Sequence, residues 1–245
     1  MTADLGTLCS DFYVNQRMSL TMDLPSGRET VLDLFDRVRR ELPGMKRFRR
    51  YEGELALESP DQEGRYCWLG LRRTSVRSGW VNPESLEEAY RLHSMLLETA
   101  PYFLSITPLD VEAIELVFGF DLHAHRNRNQ VVFDALLADS ALACMLQGDR
   151  EQLLDVQPFI GLSLEESSRI QASVEIKTRM GPGVLQSNRW EDEPISVYLT
   201  VRREGPYETL DQFKETFGTL AGHLERLAEE RVIPGIVLPL HQAIY

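Results

Sequence analysis

The chain is short of the features that mark several protein classes. It has three cysteines in 245 residues, Cys9, Cys67 and Cys144, and no two stand at C-x-x-C spacing. A disulfide framework and a thiol metal or redox motif are therefore excluded, and the cysteines read as reduced thiols. No apolar run approaches the roughly 20 residues that a membrane-spanning helix needs. The first residues lack a basic segment followed by an apolar one, so no secretory signal is read there. These absences place the expected protein in the cytoplasm. There is no phosphate-binding loop, dinucleotide fingerprint, G-x-S-x-G elbow or kinase signature, and Gly181-Pro182-Gly183 lacks the lysine and the strand-to-helix setting of a phosphate loop. No cofactor is implied.

What is present is an ordinary globular composition, 43% hydrophobic and 26% charged, with a net charge of −12. That charge disfavours nucleic acid and anionic membrane as general partners. It is unevenly placed: residues 1–80 hold 13 Lys and Arg against 12 Asp and Glu, and subtraction from the totals of 26 and 38 leaves 13 against 26 for the remainder. The length fits one large domain or two small ones.

Periodicity supplies the elements. Val14, Gln16, Met18, Leu20 and Met22 alternate as in a strand. Ser26 with Glu29 forms a capping-box pattern, followed by Val31, Leu34, Phe35, Val38 and Leu42 at helical spacing and closed by Pro43-Gly44. Residues 48–57 and 66–76 read as a strand hairpin about a turn at 59–64. A second helix is expected from Asn82 as cap and Pro83 in its first turn, with Leu86, Tyr90, His93 and Leu97 on one face and an end before Pro101. Residues 102–106 read as a short strand.

The second part repeats this order. A long strand is expected over 109–122, a helix capped by Asn127 and Gln130 through Met145, strands at 156–164, 170–178 and 195–203, and a helix from the Thr209 and Gln212 box carrying Phe213, Phe217, Leu220, Leu224 and Leu227. A last short strand falls at 236–238, and 180–194 reads as an exposed connection. The expectation is an α+β fold of two pseudo-repeated β-α-β-β-α halves, residues 1–107 and 108–245. Each is ferredoxin-like, with helices packed on one side of the sheet, and the extra strand lies in the second half. A continuous sheet covered on one side satisfies the same order.

Two constellations carry possible chemistry. If the strand persists through Asp121-Leu122-His123-Ala124-His125, the residues two apart, Asp121, His123 and His125, share a face and offer a carboxylate and two imidazoles to a divalent metal. The competing reading is a solvated turn ahead of Asn127. The run Arg37, Arg39, Arg40, Lys46, Arg47, Arg49 and Arg50 is the second, and Arg47, Arg49 and Arg50 are its candidates for binding an anionic small molecule or an acidic protein partner. A solvated helix end explains the same charges.

Arg72, Arg73 and Arg77 lie near Trp68 and Trp80, a combination that binds single-stranded RNA when all face one surface. His93 and His223 read as packed rather than catalytic, and Glu165-Glu166 and Glu191-Asp192-Glu193 as solvated turns. With no convincing catalytic set, the expected function is a non-enzymatic binding or assembly module, a homo-oligomer through open sheet edges. The alternatives are a metal-assisted enzyme acting on an anionic substrate and an RNA-binding protein using the basic first half.

Overall fold

A computed structural model describes residues 6–25, 27–146, 148, 151–180 and 193–244. Its centre is a pair of long antiparallel strands far apart in sequence, β1 (Asp11–Leu20) and β6 (Val111–Leu122), in a register that sets Val14 against Phe118 and Arg17 against Glu115. Strict alternation dictates which face of each strand is covered. Phe12, Val14, Gln16, Met18 and Leu20 of β1 are buried, as are Ile114, Leu116, Phe118, Phe120 and Leu122 of β6. The Phe12 ring meets Phe118 edge-on at 5.2 Å, and each such buried ring stabilises the fold by roughly 1.5–3 kcal/mol.

The remaining strands are β2 (Arg47–Tyr51), β3 (Glu54–Glu58), β4 (Tyr66–Arg72), β5 (Ser75–Val81), β7 (Phe159–Ser163), β8 (Ile170–Lys177) and β9 (Ile195–Glu204). They complete one nine-stranded sheet in the order β2-β3-β4-β5-β1-β6-β9-β8-β7. All pairings between these strands are antiparallel. The protein is thus α+β with a large antiparallel sheet. That sheet is larger than a ferredoxin-like unit, and it lacks the parallel pair that a split β-α-β crossover creates.

Helices cover one face. In α1 (Arg28–Glu41), Val31, Leu34, Phe35 and Val38 form the buried stripe expected from the spacing. Helix α2 (Leu86–Leu104) packs on α1, β5 and β1; α4 (Asp211–Leu227) packs on β6, β9 and α2 through Phe213, Phe217, Leu220 and Leu224. Helix α3 (Arg128–Leu136) packs on α5 (Leu238–Ile244). None of the helices among the described residues is long and apolar enough to cross a membrane.

Several sequence expectations are corrected. The expected strands 48–57 and 66–76 each fold back as hairpins, through Glu52-Gly53, where Gly53 takes φ +72°, and through Arg73-Thr74. Among the described residues, positions 1–107 therefore hold five strands and positions 108–245 four, so the additional strand lies in the earlier segment and not in the later one. Residues 102–104 are helix, not strand: α2 runs through buried Pro101, whose missing N–H is outweighed by the continued stripe Leu97, Ala100, Leu104, and Ser105 at φ 55° ends it. Its cap is Ser85, which accepts from Glu88 N, and not Asn82. Asn82 instead ties three segments together, accepting from Phe12 N at 2.9 Å and donating to Asp11 Oδ1 at 2.7 Å and Gly64 O at 3.1 Å.

Asn127 caps α3 as expected, accepting from Asn129 N and Gln130 N, but α3 ends at Leu136 and a separate 3-10 turn occupies Ala141–Met145. Residues 236–238 are helical, because α4 continues through wide π-type turns over Ala228–Val237 into α5, and burial of Val232, Val237 and Leu240 outweighs the Pro234-Gly235 interruption. At the start of α4, Gln212 accepts from Glu208 N and Thr209 is not the cap. Ser26 of the first capping box, and residues 181–192 of the expected connection, lie outside the described residues.

Candidate functional site

Several titratable groups are held by the packing of the fold. His93, on α2, is fully buried against the sheet. Its Nε2 donates to Val14 O at 3.2 Å, so the neutral ring offers Nδ1 as an acceptor, and Ser78 Oγ, 2.7 Å away, donates to it. With its one proton so placed, Ser78 can only accept from the Gln16 side-chain amide 3.1 Å away, which fixes that amide with its nitrogen toward Ser78. Burial lowers the imidazole pKa to about 3, against a weaker opposing pull from the Val14 carbonyl. A ring so placed is neutral at physiological pH and closed to solvent, a structural histidine.

Cys9 and Cys67 are buried, and burial pushes their thiols up to about 12 and about 11, away from nucleophilic thiolate. His223 is half-buried and accepts from Arg226 at 3.2 Å; His241 donates to Leu8 O at 3.1 Å and ties α5 to the start of the chain. Glu165 is an exposed turn residue that accepts from Ser167 Oγ and from Ile170 N at 3.1 Å, and the Ser167 bond leads the causes that lower its pKa.

The proposed metal ligands are not assembled. Strand β6 ends at Leu122, so Asp121 lies in the ladder while His123 and His125 lie beyond it, with His125 exposed. Asp121 accepts from Ser196 Oγ at 2.6 Å and Tyr13 Oη at 3.4 Å on the uncovered sheet face, and burial raises its pKa. Among the described residues no group of three or more His, Cys, Asp or Glu is placed to hold a metal ion.

The arginine run divides by geometry. Arg37 pairs with Glu41 at 3.0 Å and Arg39 with Asp36 at 3.1 Å, both within α1. Arg47, Arg49 and Arg50 all lie on β2, an edge strand exposed throughout. The register sets Arg47 and Arg49 opposite Glu58 and Ala56 on the uncovered face, whereas Phe48 and Arg50 point to the helix side with Leu57 and Leu55. Phe48 packs against Phe35 of α1 at 5.8 Å. Arg49 has Glu58 at 3.9 Å; Arg47 and Arg50 have no acidic partner among the described residues.

Between α1 and the β2–β4 strands lies an open groove of about 810 Å³. Val31 and Leu32 of α1 form one wall, and Phe48, Leu55 and Leu71 of the sheet form the floor. Leu32 and Phe48 are 38% and 51% exposed, so the apolar lining faces solvent. Arg28, Arg50, Arg72 and Arg73 stand around it. Arg72 is paired to Glu54 and Arg73 to Asp23, while Arg28 and Arg50 are unpaired among the described residues. The end of an acidic protein is thus locally basic and apolar. Arg28 lies outside the cluster read from the sequence, because 22 positions separate it from Arg50 and only the packing of α1 over β2 brings them to one groove.

The uncovered sheet face also carries aromatic and charged side chains around a shallow cavity of about 420 Å³, including Trp68, Arg77, Lys177 and Tyr198. Its cations are matched: Arg17 to Glu115 at 3.7 Å, Arg77 to Glu54 at 3.2 Å, and Lys177 to Glu175 at 3.2 Å. Arg77 also stands over the Trp68 ring at 5.3 Å. Trp80 is not part of this surface. It pairs with Val14 and Cys67 on the helix side, so the two tryptophans and the arginines do not form the single stacking platform that RNA binding requires.

Sequence reading missed Arg128, the first residue of α3, which is fully buried. Its guanidinium donates to main-chain carbonyls: Nε to Thr178 O at 2.7 Å, Nη1 to Glu193 O at 2.7 Å and Nη2 to Arg179 O at 3.4 Å. Buried Asn129 beside it donates to Leu154 O at 2.9 Å and accepts from Val156 N at 3.0 Å and Thr178 Oγ1 at 2.6 Å. The pair joins α3 to three separate stretches of chain. The sequence signal was slight: a charged residue at a position where the helix must face inward. In comparison with known proteins, no protein-family model matches the chain and no curated protein matches its sequence.

Proposed function

We propose that the chain is a non-enzymatic binding and assembly module, built from two related strand-and-helix halves, that self-associates through the outer edge of β7. The duplication is supported by the sheet order. From the central pair outward one wing reads β1, β5, β4, β3, β2 and the other β6, β9, β8, β7, so each begins with its long first strand and returns by a meander. The first wing has one strand more.

The observation that carries the assembly reading is the character of β7. Phe159 and Ile160 are 65% and 62% exposed on an edge strand with no charged residue. Native edges are ordinarily guarded by charge, proline or a covering element. Antiparallel self-pairing about Gly161 sets Ile160 opposite Leu162 on one face and Phe159 opposite Ser163 on the other, with no like charges opposed. The test is the mass in solution. Light scattering on the eluting protein should give a dimer rather than the 28.1 kDa chain, and Ile160→Lys should return it to monomer. A wild-type protein that remains monomeric at about 100 μM, a concentration at which even a contact of μM affinity is largely occupied, refutes the assembly.

A further inference from the structure

The opposite edge of the sheet has the reverse character. Strand β2, Arg47-Phe48-Arg49-Arg50-Tyr51, is exposed along its length and among the described residues pairs only with β3. Antiparallel pairing of β2 with its counterpart in a second copy, centred on Arg49, would stack Arg49 on Arg49, and like charges directly opposite are destabilising. A second copy is therefore a poor occupant. The strand that β2 does accept is on the page: β3, Glu54-Leu55-Ala56-Leu57-Glu58, sets Glu58 opposite Arg47 and turns Leu55 and Leu57 to the helix side. Its Glu58 also receives the Tyr51 hydroxyl at 2.6 Å.

We propose that the outer edge of β2, together with the groove under α1, is a docking site for an extended segment of a partner protein in which aliphatic residues alternate with glutamate or aspartate. Such a segment adds to the sheet antiparallel to β2, so main-chain hydrogen bonds supply affinity and alternate side chains supply selection. Its aliphatic side chains lie beside Phe48, continue the apolar surface toward Leu32 and enter the groove. Its carboxylates, on the alternate positions, turn to the opposite face and meet Arg47 and Arg49, as Glu58 already lies opposite Arg47. Arg47 has no acidic partner among the described residues, so the segment displaces no ion pair there, and the Arg49 contact with Glu58 is a long one at 3.9 Å. Charge complementarity decides the occupant. The surface is basic in a protein of net charge −12, which repels nucleic acid elsewhere on the molecule, and the groove between its cations is apolar, which a phosphate chain would leave unfilled. The site is separate from β7, and its test is independent of the oligomer test.

The experiment uses the intact chain and a fluorescein-labelled peptide with the sequence of residues 53–59, Gly-Glu-Leu-Ala-Leu-Glu-Ser, followed by anisotropy at low salt. The parent peptide should bind at least about tenfold more tightly than versions with both glutamates replaced by lysine or both leucines by serine. Arg47→Glu with Arg49→Glu should weaken the parent by about tenfold or more and improve the lysine peptide. Leu32→Asp should also weaken the parent, and methylation of one of its leucine nitrogens should abolish binding along that edge. Far-UV circular dichroism and the urea midpoint verify that each variant is folded; a second pair, Arg37→Glu with Arg39→Glu on the outer side of α1, changes net charge equally and should leave peptide affinity within about twofold. Equal binding of parent and control peptides, or equal losses from the two charge-reversal pairs, overturns the proposal.

Discussion

Lowering the pH from 7 to 5 should cost the native protein about 2 kcal/mol through His93 alone. The native ring has its pKa lowered to about 3 by burial, whereas an unfolded histidine titrates near 6.5. Below pH 6.5 the unfolded chain takes a proton that the folded chain refuses. Stability therefore falls as pH falls, by up to about 1.4 kcal/mol per pH unit, and levels off only near the folded value. At pH 7 most unfolded imidazoles are already neutral, so most of the loss from pH 7 to pH 5 is incurred below 6.5. The groups facing the ring are Ser78 Oγ, the Gln16 amide, the Val14 carbonyl and the Phe217 ring at 6.4 Å, none of them charged. Urea unfolding of the wild type and of His93→Gln at pH 7, 6 and 5 isolates the effect, because carboxylates contribute equally to both. The variant should be the less stable at pH 7, having lost the ring's packing, and its deficit should shrink by about 2 kcal/mol at pH 5. Parallel stability profiles for the two proteins would show that the native ring is protonated or hydrated and that the reasoning fails.

Two further perturbations test the packing. Arg128→Met leaves the carbonyls of Thr178, Arg179 and Glu193 without their donor and should lower the unfolding free energy by about 3 kcal/mol, and Arg128→Lys should recover only part because an ammonium lacks the planar fork; a loss below about 0.5 kcal/mol, the scale of ordinary surface substitutions, would mean that water replaces the guanidinium freely. Gly119→Ala would place a Cβ 2.0 Å from the Tyr13 ring that lies over it, costing about 1–3 kcal/mol, and Tyr13→Ser in the same chain should make the alanine nearly neutral; unequal sites showing simple additivity would refute that contact.

The parts of the fold legible in the sequence are those in which one period governs a whole element. The alternation of β1 and the stripe of α4 needed nothing but their own residues, and Asn127 announced α3 by its spacing from Gln130. The errors occur where tertiary packing overrode local punctuation. Pro101 and Pro234 looked like stops, yet the buried residues on either side of each keep the helix going. Conversely, Arg73-Thr74 carries no glycine, asparagine or proline and still turns the chain between β4 and β5, because pairing of β5 with β1 rewards the reversal. The basic character of β2 was visible, but its use was not: Arg28 and Arg50 share a groove only through the docking of α1, and Arg37 and Arg39 are neutralised within their own helix. Arg128 was invisible for a related reason, since its partners include main-chain carbonyl oxygens, which every residue has.

The position of β1 constrains how the molecule can be made and taken apart. The strand nearest the start of the chain is seated in the middle of the sheet, between β5 and β6, and its partner β6 ends at Leu122. During synthesis β1 must wait for about half the chain before the central ladder can close, a long-range closure that slows folding. Divided between α2 and β6, the chain would yield two fragments, each with one long unpaired edge, β1 on one and β6 on the other. Those edges are complementary in register and in charge, Arg17 against Glu115. The central ladder is thus a natural seam for fragment complementation, along which separately expressed halves could recover the intact sheet.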